Sequence, residues 1–185
     1  MLNILKWKRV GPVTAVADTA YTKLIDPNPI RGRSIITRLA ITCGATAHTL
    51  SVMQVALKTF LTAIAAAGQA VINVDDATGF TANDFVAVML PNGRYEAHKI
   101  ASVATKAITL TANLGTALAL NAPVCLFGAP SENEQITIPT SATTVYESEE
   151  GYFGANEMGE PMLLHVNNIT AASKIDSVNC PIISV

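Results

Sequence analysis

Short segments in which apolar and polar residues alternate, each ended by turn-forming residues, constrain the fold of this chain more than any other feature. The segment from Ser34 to Cys43 is the clearest case, because an apolar or β-branched residue fills every second position. These positions are Ile35, Thr37, Leu39, Ile41 and Cys43. Successive side chains of a strand point to opposite faces, so the pattern predicts a strand with one buried face. A turn at 44–47 and a second strand at 49–57 follow.

The segment 70–127 repeats this pattern in a more compact form. Five short strands are predicted there, at 71–74, 85–90, 94–103, 106–111 and 124–127. The sequence Pro91-Asn92-Gly93 predicts a tight hairpin, because Asn-Gly favours the positive φ angles that such turns need. Five strands joined by turns favour a small barrel or sandwich. The Ala-rich segment 62–67 is interpreted as a linker rather than a turn of helix, because Gly68 follows it and no amphipathic stripe develops.

The resulting fold class is all-β, with three parts. Residues 1–30 are predicted to be an extended N-terminal arm, because Pro12, Pro27 and Pro29 remove backbone donors and no apolar period is sustained. Residues 31–68 together with 129–185 are predicted to form a β-sandwich domain built from both chain ends. Residues 69–128 form an inserted, small β-barrel-like module, an arrangement that is easy when chain ends lie close together.

The content of charged residues is low. Only 14% of the residues are charged although 50% are hydrophobic, whereas about 25% charged residues is usual for a globular protein. Such a chain has few polar groups with which to cover a monomer, so we expect neighbouring subunits to cover part of its surface.

The charges are also unevenly distributed. Seven of the twelve Lys and Arg residues lie in the first 38 positions, whereas 107–173 contains seven acidic residues and no Lys or Arg. Opposite charges on one subunit can guide docking between copies, although two ordinary solvated surfaces explain the pattern equally well. With a net charge of −2 there is no general positive field for nucleic acid.

The compartment predicted from the sequence is a reducing one. The three cysteines, Cys43, Cys125 and Cys180, are widely spaced, which argues against a disulfide framework and a zinc site. The start of the chain lacks a signal-peptide pattern. The most apolar stretch, 52–68, contains Lys58 and is shorter than the roughly 20 residues that a membrane-spanning helix needs. We therefore expect synthesis in a cytoplasm and no membrane partner.

No motif for catalysis, for a cofactor or for a metal stands out, so the chain is predicted not to be an enzyme. Phosphate-binding, dinucleotide-binding and hydrolase motifs are absent from the sequence. His48, His98 and His165 are dispersed, and a surface or hydrogen-bonded histidine is expected at each. Asp75, Asp76 and Asp84 are interpreted as turn residues rather than as cation ligands.

Two groups of residues are candidate interface residues. Lys6, Trp7, Lys8 and Arg9 combine positive charge with the only tryptophan, and Arg31 and Arg33 extend this basic region. Tyr152 and Phe153 lie in a glycine-rich segment, and aromatic side chains bury much area at a low entropic cost. For the first group the alternative is stacking of Trp7 on a nucleic-acid base, for which four residues are too few. For the second group it is a loop that folds back on its own domain.

Three segments carry a resemblance to virion proteins of tailed bacteriophages. They are 36–50, with its Thr-rich strand, 66–74 and 83–93. Together they resemble a head decoration (cement) protein, over about residues 33–128. The resemblance implies a viral structural protein on the outer surface of the capsid. It also implies a homotrimer that bridges major-capsid-protein subunits and is synthesised in the bacterial host cytoplasm, with no catalytic residues.

Two other hypotheses remain open at this point. A phage tail or fibre component would bind a host surface glycan through Tyr152 and Phe153. A cell-wall hydrolase would instead use Glu147 or Glu149 together with His165.

Overall fold

The computed structural model describes residues 48–128 and 160–166 continuously. It also describes the strand segments 3–10, 13–14, 21–25, 33–36, 38–42, 135–138, 143–147, 154–155 and 174–184. Side-chain surroundings are described for residues 49–128, 137 and 160–165.

The described residues form strands and turns and contain no helix. In chain order the strands are β1 (Asn3–Val10), β2 (Val13–Thr14), β3 (Tyr21–Ile25), β4 (Arg33–Ile36), β5 (Arg38–Thr42), β6 (His48–Met53), β7 (Val55–Phe60), β8 (Val71–Asn73), β9 (Phe85–Met89), β10 (Tyr95–Ala104), β11 (Ala107–Leu110), β12 (Pro123–Phe127), β13 (Gln135–Ile138), β14 (Thr143–Glu147), β15 (Gly154–Ala155), β16 (Met162–Val166) and β17 (Lys174–Ser184). Every pairing among them is antiparallel. The predicted all-β class is therefore confirmed for the described residues.

The chain divides into two compact units. Unit 1 comprises Met1–Gln54 with Pro130–Val185, and unit 2 comprises Val55–Ala129. Unit 1 holds a seven-stranded sheet centred on β17 and a four-stranded sheet in the order β13-β6-β16-β3. The long strand β17 pairs with β5 and β4 and also with β1 and β2.

Unit 2 holds a six-stranded sheet in the order β7-β12-β9-β10-β11-β8. Residues 55–68 were predicted to belong to the outer domain, but β7 pairs along its length with β12 of unit 2. Alternation of apolar and polar residues predicts where a strand lies but not which strand pairs with it. The domain to which β7 belongs therefore depends on a partner that is distant in the sequence.

Hydrogen bonds also join the two outermost strands of this sheet to each other. Just beyond β7 and β8, Leu61 and Val74 form an isolated antiparallel bridge. The Thr62 amide donates to the Asn73 carbonyl at 2.9 Å, and the Asp75 amide donates to the Phe60 carbonyl at 2.9 Å. The backbone groups at these two strand ends are therefore paired rather than left open.

The core of unit 2 lies on one face of the sheet. Neighbouring strands contribute Val86 and Val88 from β9, Ile100 from β10, and Val124 and Leu126 from β12. The core also contains Leu61, Ala65, Ile72, Val74, Ala77, Phe80, Ile108, Leu110, Leu114, Leu118 and Ala122. Burial of these apolar side chains is the main favourable term that holds unit 2 together.

The β9–β10 hairpin has the predicted location but a different turn. The Leu90 amide donates to the Arg94 carbonyl at 2.7 Å, and the Gly93 amide donates to the Leu90 carbonyl at 2.9 Å. Of the Asn-Gly pair, only Gly93 has a positive φ, at 77°. The connection is thus a three-residue loop, a turn over 90–93 whose last residue is a left-handed glycine, rather than a two-residue turn. Pro91 favours it because its ring fixes φ near the value that the first central position needs.

Replacement of Gly93 by alanine is expected to lower the free energy of unfolding by about 1 kcal/mol, because a Cβ disfavours this φ angle. Apart from Gly93 and its two chain neighbours, no residue has an atom within 4 Å of the position that the Cβ would occupy, so the cost is conformational rather than steric. Gly93→Asn should cost less, because asparagine tolerates the left-handed region better. Urea titration of both variants measures the difference, and equal losses would contradict the conformational explanation.

Candidate functional site

Unit 2 exposes several large apolar side chains. Five large apolar residues are between 44% and 73% exposed: Leu57, Phe60, Ile64, Val71 and Leu120. Ile64, the most exposed of them, lies in the connection between β7 and β8, and Val71 begins β8. Single exposed apolar residues are common on protein surfaces, so the informative feature is where they are close together.

Ile64 and Val71 line the same open depression, whose volume is about 340 Å³. Its other lining residues are Ala65, Gln69, Ala70 and Asn73. The Gln69 side chain is already engaged, since its Oε1 accepts a hydrogen bond from the Ala66 amide at 2.9 Å. The lining contains no ionisable side chain, so it offers apolar contact and amide hydrogen bonds rather than acid–base chemistry.

A buried histidine is the second notable feature of unit 2. His98 is only 7% exposed and lies on β10, opposite Val86 of β9. Its Nε2 is 3.2 Å from Oε1 of Glu96, although the geometry does not make a hydrogen bond. Burial lowers the pKa of His98 below its ordinary value, and the nearby Glu96 carboxylate opposes this shift.

The Glu96 carboxylate has another contact. The same Oε1 atom accepts a hydrogen bond from the Gly115 amide at 3.1 Å. Glu96, His98 and Ile100 alternate along β10 and therefore share the face that carries the core. A Glu-x-His spacing within a predicted strand is the sequence signal for this pair, which was not among the predicted candidate residues.

The three aspartates of unit 2 have separate partners. Asp75 Oδ1 is 3.7 Å from Lys106 Nζ, and both side chains are well exposed. Asp76 accepts a hydrogen bond from the Thr78 amide at 2.8 Å. Hydrogen bonds from the Thr78 backbone and, next, its side chain lower the pKa of Asp76. Asp84 accepts hydrogen bonds from the amide and hydroxyl of Thr81. Within the described part of the chain, no three His, Cys, Asp or Glu residues are grouped so as to hold a metal ion.

The structure places some of the predicted interface residues on strands. Lys6, Trp7, Lys8 and Arg9 lie on β1, where their backbone pairs with residues 179–182 of β17. Arg33 begins β4. Arg31, Tyr152 and Phe153 lie outside the described residues, so their predicted role in an interface stays a prediction.

The residues of the hydrolase hypothesis lie in different sheets. Glu147 ends β14 in the seven-stranded sheet, whereas His165 lies on β16 in the four-stranded sheet and is buried. Glu149 lies outside the described residues. Of the two histidine states expected from the sequence, surface exposure does not apply to His98 and His165, because both are buried.

Comparison of the chain with known protein families, with curated protein sequences and with solved structures found no match. In the described residues, no helix has the length and apolar character needed to cross a membrane.

Proposed function

We propose that this chain is a structural subunit of a bacteriophage particle, a decoration protein that binds the outside of the capsid and stabilises contacts between major capsid subunits. The resemblance of 36–50, 66–74 and 83–93 to virion proteins supports the viral assignment. The all-β architecture of the described residues is compatible with it.

The observation that carries the proposal is the exposed apolar surface of unit 2. Five large side chains are 44–73% exposed on a chain of which only 14% is charged. An exposed apolar side chain contributes nothing to the stability of an isolated subunit, but it stabilises an assembly once a neighbour covers it. An assembly function therefore explains the exposed apolar side chains and the low charge, which a free monomer does not need.

The finer architecture belongs to the same proposal. In unit 2, the bridge between Leu61 and Val74 supports a small closed barrel, since it connects the first and last strands of the six-stranded order. In unit 1, two separate sheets support a sandwich built from both chain ends. The extended arm at 1–30 stays a prediction.

The proposed partners are the major capsid protein and further copies of this chain, in a homotrimer. A single decoration contact can be modest, around the standard buried area of roughly 1,600 Å². Contacts repeated by the symmetry of a shell add through multivalency, so low affinity per contact is sufficient.

Purified particles test the function directly. We expect the chain to be present in heads, and particles that lack it to lose their DNA at a lower temperature. Immunogold labelling on tails with none on heads would support the tail alternative instead, and absence from purified particles would eliminate both.

Replacement of Ile64 by glutamate is expected to reduce head occupancy about tenfold at limiting protein concentration, which corresponds to roughly 1.4 kcal/mol. The side chain is 73% exposed, so the fold should tolerate the change. Ala63→Glu is the matched control, because it adds the same charge at the exposed neighbouring position. Equal occupancy for the two variants, measured by quantitative gel analysis of sedimented heads, would exclude Ile64 from the interface.

A further inference from the structure

One carboxylate oxygen of Glu96 lies close to both a histidine and a backbone amide. Its Oε1 lies 3.1 Å from the Gly115 nitrogen and 3.2 Å from Nε2 of His98. The Glu96 side chain is 28% exposed, whereas that of His98 is 4% exposed. A change of charge on His98 is therefore felt directly by the atom that holds Gly115.

The segment that Glu96 holds, 111–118, lies between β11 and β12. Backbone hydrogen bonds join it to the connection 65–69, with Leu114 bonded to Gln69 and Leu118 to Ala65. Leu114 and Leu118 are buried in the core. A Cβ added at Gly115 would lie 3.3 Å from Glu96 Oε1, which shows how closely this backbone approaches the carboxylate.

The surroundings of His98 supply little other charge. On β9, Val86 and Val88 stand opposite His98 and Glu96. Asp84 shares their alternation, but its carboxylate accepts two hydrogen bonds from Thr81. Neither β11 nor the segment 111–118 contains an ionisable side chain. On β10, Lys99 is next to His98 and therefore belongs to the opposite face of the strand. Arg94 has the same alternation as His98 but lies in the exposed hairpin.

The direction of the pH effect follows from the burial of His98. Burial lowers the pKa of His98 in the closed form, whereas an opened, hydrated form has the ordinary value of about 6.5. Below that pH the opened form binds more protons than the closed form. Acidification therefore favours opening, with a limit of about tenfold for each pH unit.

We infer that Glu96, His98 and Gly115 form a pH-sensitive latch, which holds the segment 111–118 against β10 at neutral pH and releases it in mildly acidic solution. The inference does not depend on the proposed function, since it uses only contacts within unit 2. A mildly acidic compartment or medium would loosen the segment together with Leu114 and Leu118, the two core residues that it carries.

Amide hydrogen exchange of the intact chain, followed by NMR, tests the latch. The protection factor of Gly115, which is its intrinsic exchange rate at each pH divided by the observed rate, should fall three- to tenfold from pH 7.5 to pH 5.5. His98→Gln should remove this pH dependence. Lys99→Gln changes the next residue of β10, which belongs to the opposite face of the strand, and this variant should retain the pH dependence.

Three results would overturn the inference: constant protection of Gly115, a pH dependence that persists in His98→Gln, or a His98 imidazole that titrates at or above pH 6.5. The last measurement uses the unaltered chain, so it decides the question even if the His98 variant does not fold. Glu96→Gln gives an independent check, because it should lower the protection of Gly115 at pH 7.5, whereas the pH dependence that the buried His98 causes should persist.

Discussion

Replacing Leu110 by alanine is expected to lower the free energy of unfolding of unit 2 by about 2–5 kcal/mol. The side chain is 3% exposed and lies opposite the fully buried Ile100 in the β10–β11 ladder. Its backbone amide donates to the Ala70 carbonyl at 2.7 Å, which fixes the strand and limits how far neighbours can move into the cavity. The loss therefore combines the removed apolar contact with an unfilled space.

Leu120→Ala is the matched control, because it makes the same chemical change at a side chain that is 53% exposed. Its effect should stay within about 0.5 kcal/mol. Urea titration read from amide signals of residues 55–129 measures unit 2 by itself. A loss under about 0.5 kcal/mol for Leu110→Ala would show that this strand face is misassigned.

Replacing Thr62 by proline is the second large effect, with an expected loss of about 1–3 kcal/mol. Proline has no amide hydrogen, so the Asn73 carbonyl loses the 2.9 Å hydrogen bond that helps to join the two outermost strands of the sheet. The Thr62 side chain is exposed, so the substitution acts through the backbone.

Thr62→Ala keeps the amide and should change the free energy of unfolding by less than about 0.5 kcal/mol. In the proline variant, exchange of the Asp75 amide should also accelerate, because it donates to Phe60 across the same junction. If Asp75 keeps its protection, the junction does not open as one unit and the closed-barrel proposal is weakened.

The sequence was most informative where a local signal decides local structure. The alternation and turn residues of 70–127 predicted five strands close to the positions of β8 to β12. Even so, Pro91 selected a three-residue loop in which only Gly93 takes a positive φ. The preference of Asn-Gly for turns therefore predicted where the hairpin lies. The geometry of its loop depends on Pro91 and on the register of the two strands.

The sequence was least informative where the answer depends on distant contacts. The Ala-rich connection predicted at 62–67 contains no helix, and Ala65 bridges to Leu118, far along the chain. The burial of His98 likewise depends on strand order, which periodicity alone does not give. Similarly, no local pattern distinguishes the exposed Ile64 from a core residue such as Ile72.

The chain enters and leaves unit 2 through two strands that are hydrogen-bonded neighbours. Val55 at the start of β7 stands opposite Phe127 at the end of β12. The two ends of unit 2 are therefore as close together as the ends of a hairpin loop. Insertion of the unit thus costs the flanking chain little loop-closure entropy. Such a unit can be gained, lost or exchanged as a cassette during evolution, and a short turn joining Gln54 to Pro130 is a rational first design for removing it.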